Sequence, residues 1–363
     1  MWANVAKAFP MESFYNEEEK MKRRILALIL AMTMVLSLAA CGGSGNSDTK
    51  DTIKVGMVTD VGGINDQSFN QTSWEGLQRA EKELGVEITY LDSKTDADYS
   101  TNIEALIDAE CDLIISVGFM LATATKEAAE AYPDQKFAIV DDSTCADLPN
   151  VACLMFEQAQ ASYLVGLVAG MMTETDNVGF VVGMSTGPMN EFGYGYVAGV
   201  LAANPDVTVQ QYNANSFGDA GLGKTAAKDM ITKGADVIYH AAAGTGAGVI
   251  EACKEEGKWA IGVDTDQNHL APETVITSAM KRVDNAAYEI VKAVLEGNFT
   301  AGVKVYGMEN GGVDIAPTTT LLPEDVLAAV EQAKQDILDG KIVVPKDQAS
   351  FEAQFGADVY QLD

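Results

Sequence analysis

The feature that most constrains this chain is an alternation of strand-length apolar runs with helix-length segments, and it occurs twice. Thr52–Val58, Val86–Leu91, Asp112–Gly118 and Lys136–Asp141 read as strands, with helices from about Gln67 to Leu84, over Thr101–Glu110 and over Ala122–Ala131. Asn177–Gly183, Val207–Tyr212, Asp236–Ala242 and Trp259–Asp264 repeat the strand pattern. Nearly unbroken β-branched runs separated by helices belong to parallel sheets covered on both faces. At 363 residues the chain also exceeds the roughly 250–300 at which one core stops growing. Two similar α/β lobes follow.

The strand tips carry the chemistry. The first strand ends in Asp60, the fourth in Asp141 and Asp142, and the last in Asp264 and Asp266; others end in Gly118-Phe119 or Gly244-Thr245-Gly246. Open α/β sheets bind ligands outside the carboxyl ends of their strands. A rim of carboxylates and glycines accepts hydrogen bonds from hydroxyl and amine donors, which suits a sugar, polyol or amine and disfavours a phosphate. One such Asp is ordinary turn or capping chemistry; three tips together point to a site.

The N-terminus speaks of compartment. Lys22, Arg23 and Arg24 precede an apolar run from Ile25 to Ala40 that ends Leu38-Ala39-Ala40-Cys41-Gly42-Gly43. The run is short for a membrane span and fits a signal peptide over 21–40. Its end resembles a bacterial lipobox, with Cys41 as the lipidated residue; two or more acyl chains give stable anchoring. Residues 1–20 carry Glu17, Glu18 and Glu19, which fit no export signal, so translation is expected to start at Met21. The Gly/Ser/Asn-rich stretch 41–51 reads as a tether. Composition then removes whole classes. Fifty-three acidic against 24 basic residues, a net charge of −29, argue against nucleic acid as a partner. Two histidines and five cysteines without a CxxC pair leave no metal site to expect. The thiols of Cys111, Cys145, Cys153 and Cys253 could pair or stay free.

Three motifs invite other readings. Gly218–Thr225 matches G-x-x-x-x-G-K-[ST] in full, yet Asp219 within the loop would repel phosphate, and the preceding strand alternates like a half-exposed one. Gly183-Met-Ser185-Thr-Gly187 matches G-x-S-x-G, with Asp264 and His269 following in the order of a serine hydrolase. Against an esterase, Pro188 and Asn190 delay the helix, and His269 stands only five residues past its acid. The residues alone leave a surface esterase using Ser185 open. Gly244-Thr-Gly246-Ala-Gly248 departs from a dinucleotide loop and reads as a tight turn. His240 has no ligand partner nearby in sequence.

The run Val58-Thr-Asp60-Val-Gly-Gly-Ile-Asn65-Asp66-Gln-Ser68-Phe69-Asn70-Gln71, with Trp74-Glu-Gly76 after it, resembles the basic membrane protein family of substrate-binding lipoproteins, also called the purine nucleoside receptor family. Similarity continues through Asp112-Leu-Ile-Ile, Ser162-Tyr-Leu-Val-Gly166, Phe192 with Gly195-Tyr196, Gly244-Thr-Gly246, Ile261-Gly-Val-Asp264-Thr-Asp266-Gln267 and Lys281-Arg282-Val283-Asp284. The resemblance implies a type I periplasmic-binding-protein fold: two Rossmann-like parallel-sheet lobes joined by a three-crossover hinge near Phe156–Gln160, Lys281–Ala287 and Val313–Pro317. The lobes would comprise 52–157 with 282–314, and 158–281 with 315–363. It further implies an extracytoplasmic, lipid-anchored protein, without enzymatic activity or cofactor, that hands a purine nucleoside to an ABC permease. By the same resemblance Phe69 and Phe192 sandwich the base, Asp60, Asp142, Asp264 and Lys281 hold the ribose and base edge, and Asn70 is a further base contact. Gly244 is expected at the rim, and the protein is expected to be a monomer. Another neutral solute such as a sugar is the alternative ligand, because a fold alone does not fix function.

Overall fold

The structure is a computed structural model that describes residues 52–362. The expected upstream extension, the signal peptide, the tether and Cys41 lie outside the described residues.

The chain runs β1 (Lys54–Val58), α1 (Phe69–Leu84), β2 (Glu87–Leu91), α2 (Asp98–Asp108), β3 (Leu113–Ser116), α3 (Ala122–Ala131), β4 (Lys136–Val140) and β5 (Val151–Phe156). It continues α4 (Gln158–Met172), β6 (Asn177–Val182), α5 (Gly187–Ala203), β7 (Thr208–Asn213), α6 (Ala220–Thr232), β8 (Val237–Ala241), α7 (Ala243–Glu256), β9 (Trp259–Asp264) and β10 (Val275–Lys281). After β10 come α8 (Val283–Leu295), β11 (Gly302–Tyr306), β12 (Val313–Ile315), α9 (Glu324–Leu338) and α10 (Gln348–Phe355).

Two six-stranded sheets result, ordered β11-β5-β4-β3-β1-β2 and β12-β10-β9-β8-β6-β7. Every pairing is parallel except that of β12 with β10. Interior strands such as β3 and β8 are buried at every residue, whereas β2 and β7, at the sheet edges, are mostly not. That difference follows from coverage: helices on both faces demand continuous apolar runs, and an edge relaxes the demand.

The chain leaves the first sheet after β5, returns through α8 to β11, and leaves again for β12. The last passage falls between Tyr306 and Val313, earlier than the Val313–Pro317 read from sequence, because β12 already pairs with β10. Residues 313 and 314 therefore go with the second sheet. Four strands, β5, β10, β11 and β12, lie beyond the eight that the alternation predicts.

In the second lobe α4 packs on α5 at unusually close range. A methyl added at Gly199 would sit 2.0 Å from the Tyr163 carbonyl oxygen, and one at Gly195 would sit 2.1 Å from that of Ala159. Glycine is required there by contact, and the resulting rigid pair presents the start of α5 to the cleft between the sheets.

Candidate functional site

The carboxylate-bearing tips of β1, β4 and β9 converge on one pocket. From the first lobe it is lined by Asp60 after β1, Phe69 at the start of α1, Gly118 and Phe119 after β3, and Asp141 after β4. From the second come Met189 and Phe192 on α5, Phe217, Ala241–Ala243 from the end of β8 to the start of α7, Val263 and Asp264 ending β9, and Lys281 ending β10.

Local backbone explains why these carboxylates turn inward. Asp141 and Asp264 both adopt left-handed φ, 61° and 65°, a region that Asp tolerates better than most residues. The left-handed turn breaks the strand's alternation at its tip. Asp142, the residue expected at the site, is carried past the pocket instead. Its carboxylate accepts the Thr144 backbone N–H at 2.8 Å and closes a local turn. Asp141 takes its place.

Lys281 is 2% exposed and ion-paired with Asp141 Oδ2. Its Nζ lies 5.2, 5.1 and 5.4 Å from the ring centroids of Phe69, Phe156 and Phe192, close enough for cation–π attraction. The other oxygen of Asp141, Oδ1, is buried and has no hydrogen-bond partner among the described residues. A buried acceptor left open carries a desolvation cost until a donor arrives.

Asp60 accepts from the Gly62 backbone N–H and from Asn70 Nδ2, both at 2.8 Å, through Oδ1. Asn70 is thus not a pocket-lining contact; fully buried, it braces Asp60 and also donates to Asp66 at 3.0 Å. Asp66 in turn accepts the backbone N–H groups of Ser68, Asn70 and Gln71 and so caps α1. Gly244 is likewise outside the pocket lining. A methyl there would stand 3.2 Å from the Phe217 carbonyl, so the glycine eases packing of the first turn of α7 on the segment that carries Phe217 within the second lobe.

The lobes also touch directly. Ser68 Oγ donates to Asp264 Oδ2, and Gln267 Nε2 donates to the Gln67 carbonyl at 2.9 Å. Gln267 is itself held by Val263 N–H and sits against His240 Nε2, each at 3.0 Å, which gives His240 a structural partner. Burial pushes His240 down to about 4, only partly offset by that contact, so the ring is neutral.

Burial acts on the acids in the opposite direction. Asp60 is pushed up to about 6 by desolvation, against the lowering pull of Asn70 and Gly62. Asp264 rises to about 7 by burial, against Lys281 and Ser68. Half-buried Glu191 rises to about 8 for the same first reason, opposed by Lys281. Of these acids, Asp60 and Asp264 line the pocket, where shifted carboxylates are what a binding site gathers.

A family model described as ABC transporter substrate-binding protein PnrA-like matches residues 53–348. The chain belongs to that family. A CD4+ T-cell-stimulating antigen of Listeria innocua is 39% identical over 90% of this chain and 99% of its own length. A Lactococcus lactis protein described as ABC transporter nucleoside-binding protein BmpA is 37% identical over 90% of this chain and 99% of its own. Among solved structures, one of ABC transporter system solute-binding proteins from Aeropyrum pernix superposes with a TM-score of 0.77 at 31% identity, covering 84% of this chain and 98% of that one. The fold is therefore the type I periplasmic-binding-protein fold, and the protein is an extracytoplasmic substrate-binding component of an ABC transporter, not an enzyme.

Within a PnrA-like protein the serine-hydrolase and phosphate-loop matches have ordinary explanations. Ser185 Oγ lies 3.2 Å from both Asn190 Oδ1 and the Leu362 carbonyl, not against a histidine. Its would-be partners are engaged elsewhere, Asp264 with Ser68 and exposed His269 with the Asp266 carbonyl. In the phosphate-loop match, Asp219 accepts the N–H groups of Gly221 and Leu222 as the cap of α6. Lys224 is paired with Glu251 and Glu255 at 3.0 and 2.8 Å. Among the described residues no cluster suited to a metal ion occurs, and Cys111, Cys145, Cys153 and Cys253 are buried and free.

Asp141, Met189 and Phe217 line the pocket beyond the residues that the resemblance implies, and Ser68 holds Asp264 from behind it. Asp141 stood at a named strand tip and Ser68 inside the matching run. Phe217 and Met189 carried no local signal, because both reach the pocket only through tertiary placement.

Proposed function

We propose that this pocket captures a purine nucleoside between the two lobes and that the closed protein delivers it to the permease. The observation that carries the reading is the pairing of Phe69 and Phe192, from opposite lobes, around one cavity whose walls hold Asp60, Asp141, Asp264 and Lys281. A flat heteroaromatic base suits a pocket walled by a ring from each lobe, and a ribose suits a rim of hydrogen-bond acceptors. The description of the Lactococcus lactis relative as nucleoside-binding supports the same choice.

Magnitudes agree. Stacking supplies roughly 1–3 kcal/mol per ring face, so a sandwich gives about 2–6. Nanomolar affinity requires about 12 kcal/mol net. Hydrogen bonds to charged groups, roughly 1.5–3 kcal/mol each, close most of that gap when three carboxylates engage. The same carboxylates repel a 5′-phosphate, so nucleosides are preferred over nucleotides. No bond is made or broken; contacts from both lobes favour the closed state.

Retention at the membrane through a lipid on Cys41 and action as a monomer complete the proposal. Native mass spectrometry of the purified mature protein tests the ligand class. A co-purifying nucleoside supports it. An empty protein with no thermal shift from any nucleoside, but a shift with a pentose or hexose, would replace it with a sugar-binding role.

A further inference from the structure

The Ser185 motif is left without catalytic work, yet its hydroxyl is held by a distant part of the chain. The segment 358–362 crosses the β6–α5 turn and is fixed at both sides of Tyr360. Gln211 Nε2 donates to the Val359 carbonyl at 2.8 Å, and Gln361 N–H donates to Gln211 Oε1 at 2.9 Å. The Leu362 carbonyl meets Ser185 Oγ. Between these anchors the Tyr360 hydroxyl donates to Asn190 Oδ1 at 3.2 Å, the same oxygen that Ser185 Oγ approaches.

The Tyr360 ring fills a notch made for it. A methyl added at Gly193 would lie 2.2 Å from its hydroxyl oxygen and 2.3 Å from its Cε2. Tyr194 flanks the ring, with centroids 4.7 Å apart. Asn190 and Gly193 alternate along α5 with Met189 and Phe192, which line the pocket.

The first turns of α5 need outside support. Among the described residues Thr186 at its N-cap makes no side-chain capping bond, and Gly187 and Gly193, ahead of the close contact with α4, weaken the helix there. We propose that segment 358–362 is a strap that positions Phe192 for ligand, with Tyr360, Asn190 and Ser185 as positioning residues that do not touch it. The proposal rests on the pocket being the ligand site, but not on the ligand being a nucleoside.

The test pairs Tyr360→Ala with calorimetric titration of guanosine and with amide hydrogen exchange. The strap predicts faster exchange over residues 187–195 with both sheets unchanged, and guanosine binding about five- to tenfold weaker through faster dissociation. Tyr360→Phe keeps the ring in its notch and falls between the two. Gly193→Ala, which unseats the ring, weakens binding in the native background and adds little to Tyr360→Ala, a coupling that a merely structural role does not produce. Unchanged affinity and unchanged exchange over 187–195 would overturn the proposal, as would faster exchange spread evenly over both sheets. Should the native protein bind no nucleoside, the ligand reading falls alone, and exchange in the three variants still decides the strap.

Discussion

Lys281 and Lys224 stand in the same lobe, each beside a carboxylate, each in a segment that sequence marks as ligand-binding. Lys281 is 2% exposed, set among three phenylalanine rings, and its partner Asp141 keeps one buried oxygen open. Lys224 is at the surface, shared between Glu251 and Glu255, while its neighbour Asp219 spends its carboxylate on capping α6. Residue type and spacing are similar; remaining hydrogen-bonding capacity is not. A motif binds only when its donors and acceptors are left unspent by the fold.

The largest effect should come from Lys281→Met. It strands the Asp141 charge in the interior, and loss of one partner of a buried pair typically costs about 3–5 kcal/mol. Thermal unfolding should show a marked loss of stability, together with loss of nucleoside binding. A variant as stable as the parent would remove the distinction drawn here. Next in size is Phe192→Ala, with a dissociation constant raised by one to two decades at about 1–3 kcal/mol of stacking. Unchanged titration would make Phe192 a core residue only.

The buried acids sharpen the comparison through pH. Asp60 and Asp264, ordinarily near 3.8, sit at about 6 and about 7 in the folded protein. Their contribution to ligand-free stability is full below about 4 and lost as pH rises through 6 to 7. Binding that uses them as ionised acceptors runs the other way, weakening as pH falls, by up to about tenfold per pH unit for each carboxylate that must deprotonate. From these groups, the ligand-free melting temperature should rise between pH 8 and 5.5 while the shift caused by nucleoside shrinks. Parallel movement of the two would contradict the assignment. Smallest of all is Lys224→Ala, which should leave nucleoside titration unaltered, since its ion pairs are exposed and its loop holds nothing else.

The lobed architecture was legible because buried parallel strands demand unbroken apolar runs, and β1, β3, β4, β6, β8 and β9 supply them. β12 is three residues long and β11 alternates at an edge, so neither announces itself. At the site, Asp60, Phe69, Phe192, Asp264 and Lys281 were named from sequence and line the pocket. Which of Asp141 and Asp142 lines the pocket hangs on one left-handed φ, and it is Asp141. Asn70 and Gly244, which the resemblance implies as contacts, stand behind the pocket lining, Asn70 bracing Asp60 and Gly244 packed on the Phe217 carbonyl. Tyr360 and Gly193 meet across 167 positions, a juxtaposition that no local pattern encodes.

The most direct test of the central claim is a calorimetric titration of ligand-stripped protein with guanosine or adenosine and, separately, with the matching 5′-monophosphate. Saturable one-to-one binding of the nucleoside, with the monophosphate at least about tenfold weaker, is what a pocket lined by a phenylalanine from each lobe and by carboxylates predicts. Equal affinity for the two, or binding of neither, would contradict it.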